Sequence, residues 1–172
     1  MNHVLLIGFM GAGKSTVAKL VAKRLGRPCV DLDRLVQSTD GRPIPQIFRE
    51  DGEVAFRERE SGALESLAAL QPSVVACGGG VVTSDVNRTT LKSLGYVVYL
   101  RITAEETLAR VGEDPGRPLL AGGGGLLAVT SLLDARESLY SAVADAVIDT
   151  VQIAPDAVAD QIVALVEAGN FV

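Results

Sequence analysis

Eight consecutive residues, Gly8-Phe9-Met10-Gly11-Ala12-Gly13-Lys14-Ser15, fit the pattern G-x-x-x-x-G-K-[ST], and Thr16 follows directly. The glycines let successive backbone N–H groups curl around phosphate oxygens where side chains would block the approach. A helix opening at the end of such a loop adds its positive N-terminal end. Lys14 can reach the outer phosphates of a nucleoside triphosphate, and the Ser15 hydroxyl can join the shell of an accompanying Mg2+ ion. Gly11, Ala12, Gly13, Lys14, Ser15 and Thr16 are therefore the expected phosphate-binding residues. The bland alternative, an ordinary glycine-rich turn with a surface lysine, does not require a strand before the loop and a helix after it.

Two further groups follow apolar runs. Asp31-Leu32-Asp33 places two carboxylates at i and i+2, positions that share a face of an extended chain. Read as the polar turn leaving a strand, this spacing aims both into one cleft, although a helix cap would also explain it. Gly78-Gly79-Gly80 ends another apolar run, where absent side chains let backbone approach a bound molecule. The alternative is a plain strand-ending turn.

The elements that must position these groups are short apolar runs alternating with helical stretches. Val4-Leu5-Leu6-Ile7 is continuously apolar, as a parallel strand buried on both faces should be. Pro28 to Asp31, Ser73 to Cys77, Tyr96 to Leu100 and Ala146 to Asp149 give four more strands. Between and after them lie helical stretches at Lys14 to Leu25, Glu53 to Leu70, Asp85 to Leu94, a helix opened by the capping box Thr103-Ala104-Glu105-Glu106, one ending near Val143, and one from Pro155 to before Gly169. Gly62 is a weak point in the second. The alternation predicts a three-layer α/β fold with a five-stranded parallel sheet flanked by helices, as one domain over 1–172. Ligands should gather at the carboxyl ends of the strands, where the three groups above fall.

Composition narrows the function. Sixteen basic residues against 21 acidic give a net charge of −5, and aromatics are 4% with no Trp. That is the opposite of a nucleic-acid binder, so an anionic ligand must meet a local cluster of arginines. The one histidine and the widely separated Cys29 and Cys77 give no Cys/His metal site. Both cysteines are expected in the core. No apolar run is long enough to cross a bilayer. The chain after Met1-Asn2-His3 has no basic lead or cleavage site, so a cytoplasmic location is expected. An N-K-x-D base-recognition element is absent, which argues against a GTPase and leaves a small-molecule kinase or a nucleotide-binding module.

From here the chain resembles the shikimate kinase family nearly end to end. Asp31-Leu32-Asp33 is similar to its D-x-D, and Asp51-Gly52-Glu53 with Phe56-Arg57-Glu58-Arg59-Glu60 to its D-G-E…F-R-x-x-E. Gly78-Gly79-Gly80 resembles its G-G-G, Arg117-Pro118-Leu119-Leu120 the R-P-L-L of its lid, and Arg136 with Tyr140 its R-x-x-L-Y helix. The resemblance implies a P-loop kinase fold with a mobile lid at about 112–125 and a shikimate-binding segment at about 32–60. It implies an ATP-dependent transferase acting in chorismate and aromatic amino-acid biosynthesis. The γ-phosphate of ATP would pass to the 3-hydroxyl of shikimate, with Mg2+ as cofactor. Asp33 would accept from the attacking hydroxyl, either as base or as orienting group, and Arg57 and Arg136 would grip the carboxylate through their planar forks. Glu60, one turn from Arg57, could hold it in place, although charge pairs at this spacing are often only a solvated surface. Gly78, Gly79 and Gly80 would meet the substrate, and Arg117 would neutralise phosphate charge in the transition state. Asp31 would act on the metal through water, and Arg110 and Pro155 would contact the adenine. No nucleic-acid or membrane partner is expected, and the protein should be a monomer.

Two stretches depart from the family pattern. Ala121-Gly122-Gly123-Gly124-Gly125 follows the lid motif, and four glycines make a closed lid entropically costly. A lid open or disordered without ligand is expected. Ser138 stands where the family often has proline. The competing readings are a gluconate or nucleoside monophosphate kinase, which would use Arg57 and Arg136 on another anion, and a catalytically weak nucleotide- or shikimate-binding protein.

Overall fold

The computed structural model describes residues 2–111 and 125–169. Five strands, β1 (His3–Ile7), β2 (Cys29–Asp31), β3 (Val74–Ala76), β4 (Gly95–Arg101) and β5 (Ala146–Asp149), form one parallel sheet in the order β2-β3-β1-β4-β5. Leu5 of β1 pairs with Val75 on one side and Val97 on the other. Every residue of this central strand is buried, which its unbroken apolar sequence requires. His3 fastens the start of β1: its Nδ1 accepts from the Ser73 N–H, and its Nε2 meets the Leu67 carbonyl at 2.9 Å.

Seven α-helices flank the sheet among the described residues: α1 (Lys14–Leu25), α2 (Leu32–Asp40), α3 (Ile44–Ser66), α4 (Asp85–Leu94), α5 (Ala104–Val111), α6 (Gly125–Val143) and α7 (Pro155–Ala168). Helix α1 packs on α7, α2 on α3, and α5 on α6. The Glu106 N–H donates to Thr103 Oγ1 at 3.2 Å, one arm of the expected capping box. None of the described helices is long and apolar enough to cross a membrane.

Four details differ from the sequence reading. The segment after β2 is not a turn but helix α2, with Asp31 as its N-cap accepting from the Arg34 N–H at 3.2 Å. Strand alternation therefore does not govern Asp33, which lies in the first turn of that helix. Helix α3 starts at Ile44 and breaks at Gly52, whose φ of 84° and ψ of 175° suit only glycine. Gly62, the expected weak point, sits in regular helix with open space where a side chain would project. Cys77 is buried as expected, but Cys29 is exposed because β2 is short and lies at the sheet edge.

Salt bridges tie α2 to both halves of α3. Arg42 meets Asp40 and Asp51, each at 2.6 Å, and Arg59 meets the same two carboxylates at 2.5 and 2.6 Å. Two arginines and two aspartates thus close a ring around the Gly52 break. The Arg42 guanidinium holds the Asp40 carboxyl down to about 2.

Candidate active site

The phosphate loop lies between β1 and α1 and is shaped by glycine. Gly8, Gly11 and Gly13 have φ of 144°, 79° and 87°, and a Cβ on Gly8 would stand 2.4 Å from the Leu100 carbonyl oxygen. Gly13 caps α1, so the helix dipole points into the loop. Lys14 Nζ donates to the carbonyls of Gly8 at 2.8 Å and Phe9 at 2.9 Å. Ser15 Oγ donates to Asp31 Oδ2 at 2.8 Å, joining the loop to the start of α2. Arg110 of α5 donates to the Gly11 carbonyl at 3.2 Å and the Thr150 carbonyl at 2.6 Å, and is held by Glu106 at 2.8 Å. Thr16 lines the same cleft, whereas Ala12 is buried under the loop and Pro155 opens α7 without lining the cleft.

Across a cavity of about 970 Å³ stands a wall assembled from distant parts of the chain. Arg57 Nη1 donates to Glu60 Oε2 at 2.8 Å, and its Nη2 donates to Glu53 Oε1 at 3.2 Å. Glu60 is only 1% exposed, and its Oε1 has no hydrogen-bond partner among the described residues. Burial pushes the Glu60 carboxyl above its ordinary range, and Arg57 opposes the shift. Arg136 of α6 reaches the same cleft, with Nη1 3.3 Å from the Gly79 carbonyl oxygen and its guanidinium 6.0 Å over the Phe9 ring.

Within the triple glycine, Gly78 and Gly80 are needed for space rather than for an unusual backbone, whereas a Cβ on Gly79 would meet nothing nearer than 3.6 Å. A Cβ on Gly78 would sit 2.5 Å from Glu60 Oε1 and 2.8 Å from Asp33 Oδ1. One on Gly80 would stand 2.4 Å from both terminal nitrogens of Arg57. The loop after β3 thus leaves room for three charged groups that arrive from α2 and α3. Lys14, Arg34, Arg57, Arg110 and Arg136 line the cleft with Asp31, Asp33, Glu53 and Glu60. Five cations against four anions make this region cationic in a chain of net charge −5, which suits an anionic ligand.

The structure brings Lys14, Ser15, Asp31, Asp33, Arg57, Gly78, Gly79, Gly80, Arg110 and Arg136 to one cleft. Arg117 and the lid, apart from Gly125, fall outside the described residues. The sequence reading missed Gln37, Ile44, Pro45 and Phe48, which also line the cavity, because it did not recognise α2 or the first half of α3. The signal was present: Leu32, Leu35 and Val36, then Ile44, Ile47 and Phe48, repeat at helical i, i+3, i+4 spacing. Among the described residues no cluster of three or more His, Cys, Asp or Glu could hold a metal on its own. A Mg2+ ion nonetheless fits the Ser15–Asp31 pair, since this ion usually takes one or two protein ligands together with phosphates and waters.

Comparison with known proteins places the chain. A model of the family described as shikimate kinase matches residues 10–167. A shikimate kinase of Psychrobacter sp. is 43% identical over 150 residues, 87% of this chain and 83% of that protein. One from Pseudomonas paraeruginosa is 41% identical over 162 residues, covering 94% of each. Among solved structures, shikimate kinase from Acinetobacter baumannii in complex with shikimate superimposes with a TM-score of 0.94 at 39% identity, covering 98% of this chain and 94% of that one. With the phosphate loop, the paired arginines and the triple glycine all in place, this chain belongs to the shikimate kinase family.

Proposed function

We propose that this protein transfers the γ-phosphate of ATP to the 3-hydroxyl of shikimate, giving shikimate 3-phosphate and ADP. The observation that carries the reading is the convergence of Arg57 from α3, Arg136 from α6 and Asp33 from α2 on the cavity that the phosphate loop opens into. Shikimate is a polyhydroxylated ring with one carboxylate. Two guanidinium groups suit the carboxylate, and a carboxylate suits a hydroxyl. The family relatives carry the same name, and the A. baumannii neighbour was solved with shikimate bound.

In this reading the loop N–H groups of Gly11 to Thr16 and the Lys14 ammonium hold the phosphates, and Lys14 leaves its loop carbonyls to do so. Asp33 accepts a hydrogen bond from the attacking hydroxyl and orients it. Phosphoryl transfer is loose, so placement of that oxygen matters more than early removal of its proton. Ser15 and Asp31, the latter through water, are the residues that would hold Mg2+. The ion's contribution is neutralisation of phosphate charge. Arg110 braces the donor side, where Pro155 lies beyond the Thr150 turn, and Arg117 is assigned to the transferred phosphate from its motif alone. Activity requires one domain and no partner subunit in this reading, in the cytoplasm.

A coupled ADP-release assay with shikimate, gluconate and AMP as alternative acceptors tests the proposal. Turnover with shikimate, at a kcat/KM far above the other two, is the expected outcome. Measurable ATP binding without shikimate turnover would overturn it.

A further inference from the structure

Among the described residues the Gly79 carbonyl has two side-chain donors, and only one of them can also serve the substrate. Arg136 Nη1 lies 3.3 Å from this oxygen, and the Tyr140 hydroxyl, one turn further along α6, donates to it as well. Tyr140 is fully buried, and its ring stacks on Tyr99 of β4 at 4.9 Å between centroids. Burial pushes its phenol up to about 12, with Arg136 opposing, so the hydroxyl keeps its proton at neutral pH and remains a donor. It does not line the cleft, whereas Gly79 and Arg136 both do.

Resting on the shikimate reading above, we propose that Tyr140 is a positioning residue for acceptor binding: it satisfies the Gly79 carbonyl so that Arg136 can turn to the substrate carboxylate. Without the hydroxyl, Arg136 becomes the remaining side-chain donor to that carbonyl among the described residues. Leaving it for the carboxylate would then strand a polar backbone atom, a cost charged against shikimate binding alone. The phosphate loop makes no use of this hydrogen bond, so ATP binding should not register its loss. Tyr99 and Glu137 hold the ring from the other side, where the Tyr99 hydroxyl donates to Glu137. Removing one oxygen from Tyr140 therefore leaves the stack in place.

The test is Tyr140→Phe, which keeps the ring, with shikimate and ATP varied separately in the ADP-release assay. Losing a neutral hydrogen bond of this kind should raise the shikimate KM by roughly three- to tenfold. The ATP KM and kcat should stay within about twofold of the native values, where uniform loss of substrate binding leaves kcat unchanged. Arg136→Ala and the double variant Arg136→Ala/Tyr140→Phe complete a cycle, read as kcat/KM for shikimate. In the Arg136→Ala background the tyrosine substitution should have less than about twofold effect, since the group it frees is gone. An unchanged shikimate KM in Tyr140→Phe, equal changes for both substrates, or a full effect retained without Arg136 would overturn the proposal. Failure of the native protein to turn over shikimate would overturn the functional reading instead, and the two failures are read from different samples.

Discussion

The donor and acceptor sides of the cleft share one cavity and are built in different ways. The donor side is nine consecutive residues whose shape comes from three glycines at positive φ and from the end of α1. In the proposed reading its ligand groups are mainly backbone N–H donors, and few long-range contacts are needed to form it. The acceptor side takes Asp33 from α2, Arg57 and Glu60 from α3, three glycines after β3 and Arg136 from α6. Its groups are side chains, and their placement depends on packing and on the ion-pair ring of Asp40, Arg42, Asp51 and Arg59. A loop fixed by its own backbone can serve many kinases, whereas a wall assembled from three helices defines one acceptor.

The largest expected effect lies where the two sides meet. Asp33→Asn should lower kcat by about 10²-fold or more, the scale of loss when a reacting group is misplaced, while leaving ATP affinity measured by calorimetry unchanged. Similar losses of ATP affinity would mean that the two sides are not separable.

Glycine substitutions sharpen the comparison further. Gly80→Ala pushes a methyl group into the Arg57 guanidinium, which must move aside, and misplacing this carboxylate-binding group should raise the shikimate KM by about tenfold, the loss of roughly one charge-assisted hydrogen bond. Gly11→Ala meets Val111 at 3.0 Å from a backbone with φ of 79°, so it should raise the ATP KM instead. Steady-state kinetics with each substrate varied would expose any crossing of these effects.

A smaller effect concerns what holds the acceptor side together. Asp40 is ionised in the fold well below its ordinary value of 3.8 because Arg42 donates to it. Its contribution to stability is therefore complete above 3.8 and is lost as pH falls through about 2. Asp40→Asn should be less stable than the native protein at neutral pH. The gap should close as pH falls from about 4 toward 2, measured by urea unfolding. A constant gap across that window would remove the ion-pair ring from the explanation. Gly62→Ala is the smallest change. In exposed helix with open space around it, it should stabilise by about 0.5–1 kcal/mol and raise Tm by about 1–4 °C, with both KM values unchanged.

The same contrast explains what could be read from the sequence. The phosphate loop, the parallel sheet and the bounds of α1, α4 and β5 follow from local pattern, and they were legible. The acceptor residues were named through resemblance, but the reason for their arrangement was not visible. Asp31 and Asp33 share the cleft as a helix cap and a first-turn residue, not as alternate positions on a strand. The triple glycine reads as flexible backbone, yet Gly78 and Gly80 leave room for Glu60, Asp33 and Arg57, which come from elsewhere in the chain. Gly52 rather than Gly62 breaks the long helix because the chain must turn there beneath the ion-pair ring, a long-range demand. Cys29 looked like core because its neighbours are apolar, and only the strand order shows that β2 is an edge.

A crystal structure of the protein with ADP and shikimate bound tests the central claim most directly. The expected result places the shikimate carboxylate within hydrogen-bond reach of both Arg57 and Arg136, with the 3-hydroxyl at Asp33 and facing the phosphate loop. Shikimate bound with its carboxylate away from those arginines, or with another hydroxyl presented to the loop, would contradict it.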